Sequence, residues 1–206
     1  MKKKLFIIFL FLLPVSASVY SQFDIRLLRL IYSHDDGPRD DVFKFISNTT
    51  TAVVVGVPAG MATIGLITHD DQTVRNALVA ITASALNFGV TEGLKYTFKR
   101  DRPFIPYLDI QPRAPGKSYS FPSGHSSSAF ATATSMSLDY PKWYVIVPAY
   151  TWATSVAYSR LDLGVHYPSD VLAGAVVGSG CAWLTHVVNK KLQANSDKKH
   201  KTGHKL

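Results

Sequence analysis

A chain of 206 residues is of one-domain size. Its formal charge of +8 invites a nucleic-acid reading, but no helix-turn-helix, finger or RNA-binding signature is present. Much of the charge falls at the ends, on Lys2 to Lys4 and on Lys190, Lys191, Lys198, Lys199, Lys201 and Lys205, as in cytoplasmic flanks of membrane segments, so nucleic acid is excluded as a partner. The single cysteine, Cys181, rules out an internal disulfide and a cysteine metal site.

The N-terminus reads as a basic start, an apolar run from Leu5 to Leu13 and small residues after it. This predicts a bacterial-type signal peptide cut near Ala17 to Ser21, or an uncleaved anchor, over residues 1–21. Either way the chain emerges on the non-cytoplasmic side. Residues 23–32 place Ile25, Leu28 and Tyr32 on one helical face, with Asp24, Arg26 and Arg29 elsewhere. Such a helix suits a membrane interface or an amphipathic helix packed on a core. A polar break from Ser33 to Asp41, with Gly37-Pro38, follows.

Apolar stretches then run over Thr51 to Thr68, Asn76 to Gly93, Ser126 to Leu138, Trp143 to Tyr158 and Val171 to Val188. Their lengths suit a bilayer, and their frequent Gly and Ala suit close helix packing in lipid. The expected fold class is all-α, a polytopic membrane helical bundle of about five spans plus the N-terminal segment, with residues 22–190 as one domain and 191–206 as a disordered basic tail. A buried bundle in a soluble protein would read similarly, and the mean hydropathy of +0.08 allows it. If the segments span, the loop from Lys95 to Ser123 and the stretch from Arg160 to Asp170 share the outer face. That loop holds Lys95, Lys99, Arg100, Arg102, Arg113 and Lys117, more cations than a translocated loop should carry. Binding an anion would explain them.

Three clusters on that face carry chemistry. In the first, Lys95 and Arg102 stand seven residues apart, with Pro103 holding Arg102 extended; two cations so spaced can converge on one phosphate, though they also fit a basic membrane flank. In the second, Ser123 is a natural helix N-cap, Gly124 allows close backbone approach and His125 overlooks a helix start that can bind an anion. An ordinary capped helix would read the same. In the third, Arg160 lies on the approaching stretch of chain, His166 precedes a helix opened by Pro168, and Asp170 falls in its first turn. A carboxylate there can fix the histidine tautomer and leave the other ring nitrogen as a nucleophile. A capped interfacial histidine with a snorkelling arginine is the plain alternative. Together the clusters make a kit for metal-free phosphoryl transfer through a histidine.

Lys95 with Arg102-Pro103, Pro122-Ser123-Gly124-His125, and Ser159-Arg160 with His166 and Asp170 resemble the three-part signature of the type 2 phosphatidic acid phosphatase (PAP2) superfamily in order and spacing. The resemblance implies an all-helical phosphatase without cofactor. It implies His166 as nucleophile oriented by Asp170, and His125 as acid and then base. Lys95, Arg102, Ser123, Gly124 and Arg160 would bind phosphate. It further implies a membrane lipid phosphatase of the bacterial inner membrane with its site facing the periplasm. The substrate would be a lipid phosphate or diphosphate such as undecaprenyl diphosphate, a lipid A phosphate, phosphatidylglycerophosphate or phosphatidic acid. The extra cations Lys99, Arg100, Arg113 and Lys117 would suit a doubly phosphorylated head group. A secreted soluble acid phosphatase of the same superfamily is the alternative; a vanadium-dependent haloperoxidase, typically much longer, and a non-enzymatic membrane protein fit less well.

Overall fold

The computed structural model describes residues 17–32 and 37–203, with side chains described over 22–32 and 37–195. The apolar core of the expected signal peptide or anchor lies outside the described residues. Six helices follow in order: α1 (Ala17–Ile31), α2 (Pro38–Ile67), α3 (Asp71–Phe98), α4 (Gly124–Asp139), α5 (Trp143–Asp162) and α6 (Pro168–Gly203). No strand occurs among the described residues.

Local chemistry sets the helix ends. Pro38 opens α2 with Asp40 and Asp41 in the first turn, where carboxylates favour the positive end of the helix dipole. The polar break is therefore shorter than expected, since Pro38 to Asp41 are already helical. Asp70 caps α3 by accepting from the amides of Gln72 and Thr73, and Lys99, left-handed at φ 46°, closes it. Ser123 caps α4 as expected. Asp170 accepts the Tyr167 amide at 2.9 Å, a carboxylate reaching back over the first turn of α6. At its other end α6 runs on to Gly203, through the stretch from residue 191 expected as a tail; Leu192, Gln193 and Ala194 are good helix formers.

The bundle is built around α4. Its Ser126, Ser127, Ala129, Ala131 and Ala133 are buried, and it packs on α6, α5 and α3. Gly174 and Gly178 of α6 make the closest seam. A Cβ built at Gly174 would stand 2.6 Å from the Ser123 carbonyl oxygen, and one at Gly178 2.0 Å from that of Ser127. The two backbones can approach so closely only because both positions lack a side chain.

The exposed surface decides between lipid and a soluble core. Among the described residues, α2, α3 and α6 are long and apolar enough to cross a membrane, yet only 22–33% of their apolar windows is buried. Val55, Ile64, Phe88, Leu172, Val176 and Trp183 stand exposed on them. Apolar surface on this scale is a liability in water and ordinary in a bilayer. The fold is thus a polytopic membrane helical bundle, in which α4, enclosed by its neighbours, has no need to be strongly apolar.

Helix α1 takes the packed alternative. Ile25, Leu28 and Tyr32 join Ile110, Leu161, Tyr167 and Val171 in a core cluster at one end of the bundle. Asp24 departs from its expected place, being buried with them. At the same end lie the close of α3, the start of α4, the close of α5 and the start of α6, so all three clusters meet there.

Candidate active site

His166 lies in the turn between α5 and α6 and is buried. Arg102 NH1 stands 3.3 Å from its Nε2 and donates to the Val165 carbonyl at 2.9 Å. A guanidinium can only donate, so Nε2 holds a lone pair and the ring proton sits on Nδ1. Burial pushes the imidazole down to about 3, against the pull of Asp170 and with the positive field of Arg102 and Arg160 adding to the effect. The ring is neutral at ordinary pH.

The Nδ1 side differs from the simple pair that the sequence suggests. Asp170 Oδ2 is 3.5 Å away, long for a hydrogen bond. Ser120 Oγ fills the gap, 3.4 Å from Nδ1 and donating a short bond to Asp170 Oδ2. Asp170 Oδ1 receives Arg100 NH1 at 2.7 Å. Ser120 and Arg100 thus belong to the site. Ser120 is invisible to spacing arguments because it meets Asp170 across fifty positions of sequence.

The three predicted cations are brought together and buried. Arg160 sits on the last turn of α5, which runs on to Asp162 past the expected apolar stretch. Each leans on one short loop, residues 115–119. Lys95 Nζ donates to the Tyr119 carbonyl at 2.6 Å, Arg102 Nε to that of Ser118 at 2.7 Å, and Arg160 NH2 to that of Pro115 at 3.5 Å. Arg160 NH1 also donates to Ser47 Oγ at 2.5 Å, while its Nε has no partner. Gly116 permits the arrangement, since a Cβ there would meet the Arg102 side chain at 2.9 Å. Among the described residues none of the three forms an ion pair. Like charges held together in a dry place without a carboxylate leave an anion seat.

Half-buried His125, in the first turn of α4, feels the same three cations. With Gly124 it lines a cavity of about 210 Å³ against Thr50, Asn87 and Thr91. Nothing stands within 4 Å of a Cβ added at Gly124, so the space over this helix start is open. A larger cavity of about 480 Å³ lies beside Arg102, between Tyr96, Phe104 and Lys117.

Two of the extra cations are otherwise engaged. Arg100 bridges Asp24 and Asp170, each at 2.7 Å, and Arg113 is held by Asp40 at 2.7 Å and Asp162 at 3.4 Å. The case for a second phosphate seat loses both, because their charge is already neutralised. Lys99 and Lys117 remain exposed.

Residues 76–194 match the family model described as the PAP2 superfamily. The chain belongs to that superfamily. It is similar to a lipid A 4'-phosphatase of Bacteroides thetaiotaomicron, 26% identical over 77% of this chain and 75% of the relative. An undecaprenyl-diphosphatase of Sulfolobus acidocaldarius is 28% identical over 70% of this chain and 75% of the relative. The crystal structure of Aquifex aeolicus LpxE superposes with a TM-score of 0.66 at 27% identity, covering 79% of this chain and 94% of that one. This PAP2 protein is therefore a phosphoric ester hydrolase with lipid phosphatases among its relatives.

Proposed function

We propose that this PAP2 protein removes phosphate from a lipid phosphate or diphosphate at the periplasmic face of a bacterial inner membrane, through a phosphohistidine on His166. The observation that carries the reading is the set of three buried cations that form no ion pair among the described residues, one of which, Arg102, stands at the Nε2 lone pair of a neutral histidine.

In the first step the Nε2 lone pair forms the N–P bond as the P–O bond to the lipid breaks, and His125 gives its proton to the leaving oxygen. Burial first, and then the three cations, push His125 down to about 3; a phosphate dianion beside it offsets their field and favours the protonated form that this step uses. The imidazolium that results keeps its Nδ1 proton toward Ser120 and Asp170, whose negative charge stabilises it. In the second step His125 takes a proton from water, the oxygen attacks phosphorus, and the N–P bond breaks to release inorganic phosphate. Lys95, Arg102 and Arg160, with Ser123 and the Gly124 amide at the start of α4, hold the equatorial oxygens. When phosphate arrives, Arg102 exchanges the histidine nitrogen for a phosphate oxygen and frees the nucleophile.

The lipid assignment rests on the exposed apolar surface and on the relatives' substrates, the orientation on the expected signal peptide or anchor, after which the chain emerges on the non-cytoplasmic side. The test is phosphate release by detergent-purified protein with EDTA present, over undecaprenyl diphosphate, lipid A, phosphatidylglycerophosphate, phosphatidic acid and a soluble aryl phosphate, alongside His166→Ala. Release from a lipid, lost in the variant and inhibited by vanadate as a transition-state mimic, is expected. Activity on the aryl phosphate alone, or activity that survives His166→Ala, contradicts the proposal.

A further inference from the structure

Helix α1 precedes the family-matched region, yet it places a carboxylate in contact with the machinery. Asp24 is buried. Its Oδ1 accepts the Ser169 amide at 3.0 Å, its Oδ2 accepts the Ser169 hydroxyl in a short bond, and the same Oδ2 accepts Arg100 NH2 at 2.7 Å. The other arm of Arg100, NH1, reaches Asp170 Oδ1 and Ser169 Oγ, each at 2.7 Å, and the guanidinium lies over the Tyr167 ring, 3.9 Å from its centroid. Arg100 is thus clamped on three sides, and Asp170 is turned so that its Oδ2 faces Ser120 and His166.

The charges in this chain matter as much as its geometry. Asp170 alone would set a full negative charge near His166, and Arg100 alone beside it would cancel that charge. The sequence carboxylate, guanidinium, carboxylate restores a net charge of minus one while keeping the fork that orients Asp170. We infer that Asp24 and Arg100 are positioning residues for the hydrolysis, with Asp24 acting through Arg100 to keep Asp170 both oriented and electrostatically negative toward His166.

This inference rests on the phosphohistidine reading, and a cycle of Asp24→Asn and Arg100→Gln separates the two. Asp24→Asn keeps an oxygen for the Ser169 donors but leaves the Arg100 charge uncompensated. Its kcat should fall about tenfold to a hundredfold at unchanged KM. If Asp24 acts through Arg100, Asp24→Asn costs nothing further once Arg100→Gln is present, so the double variant has the kcat of Arg100→Gln alone. Asp24→Glu, which keeps the charge, should restore most of the rate. Equal losses in both backgrounds, or no loss in either, overturn the inference, because a role confined to docking α1 gives additive effects. Should Asp24→Asn fail to yield a monodisperse species in detergent, Arg100→Lys decides. Its kcat should lie between those of wild type and Arg100→Gln at unchanged KM, and equal kcat for all three overturns the inference. A wild-type rate that His166→Ala leaves intact would instead sink the phosphohistidine reading itself.

Discussion

Two sets of basic side chains share one end of this bundle and differ in their company. Around the rim, Arg29 pairs with Asp109, Arg39 with Asp162, Arg100 with Asp24 and Asp170, and Arg113 with Asp40 and Asp162. In the centre, Lys95, Arg102 and Arg160 meet, among the described residues, only carbonyls, a hydroxyl and a histidine. A cation paired with a carboxylate holds other groups in place, be they helices or, for Arg100, the site's own Asp170, whereas a buried cation without one is a seat held open for an anion. The difference teaches that partner, not residue type or burial, separates the groups that position from the groups that bind.

The largest effect should come from emptying the seat. Arg160→Met is expected to lower kcat/KM by about a thousandfold or more while the melting temperature in detergent holds or rises, because repulsion from Arg102 is relieved. A fall in stability with little loss of turnover would place Arg160 among the groups that position. Arg113→Met should do the reverse: buried Asp40 and Asp162 lose one partner and keep Lys44 and Arg39, at a cost of about 1–3 kcal/mol, read as a lower melting point with the phosphate site intact once folded. An unchanged melt would break the distinction.

A pH prediction comes next in size. His166 is held down to about 3 in the folded protein, against about 6.5 when unfolded. Because the folded value is the lower one, the unfolded chain takes up the proton first. The stability this gives is complete above about pH 6.5 and is lost as pH falls toward 3. Melting curves should therefore steepen in acid for wild type and flatten for His166→Ala, by on the order of a few kcal/mol across the window; parallel curves would show that the ring is not buried neutral. Smallest of all, Arg29→Met breaks an ion pair whose two side chains are 45% and 47% exposed and should leave both melt and turnover unchanged.

Much of this site was legible because its residues stand at fixed local spacings. Asp170 four positions after His166, Ser123 at the head of an apolar run and Arg102 before a proline each announce themselves within a few residues. The five apolar stretches likewise locate α2 to α6, although helix bounds extend past them where capping residues lie outside the apolar core. What stayed hidden is pairing across the chain. Arg100 and Arg102 are two positions apart and indistinguishable by composition. Only the fold shows that Asp24, seventy-six positions away from Arg100, claims one, while the loop carbonyls orient the other. Arg113 was misleading for the same reason. The small residues of α4 were legible as a sign of close helix packing, but not that Gly174 and Gly178 are their partners.

The central claim is a covalent phosphate on His166. It is tested most directly by acid-free quench of the protein with a radiolabelled lipid phosphate, followed by peptide mapping. The account predicts a label that survives base, is lost in acid, maps to the peptide holding His166 and is absent in His166→Ala. Turnover without any such label, or a label that persists in His166→Ala, would contradict it.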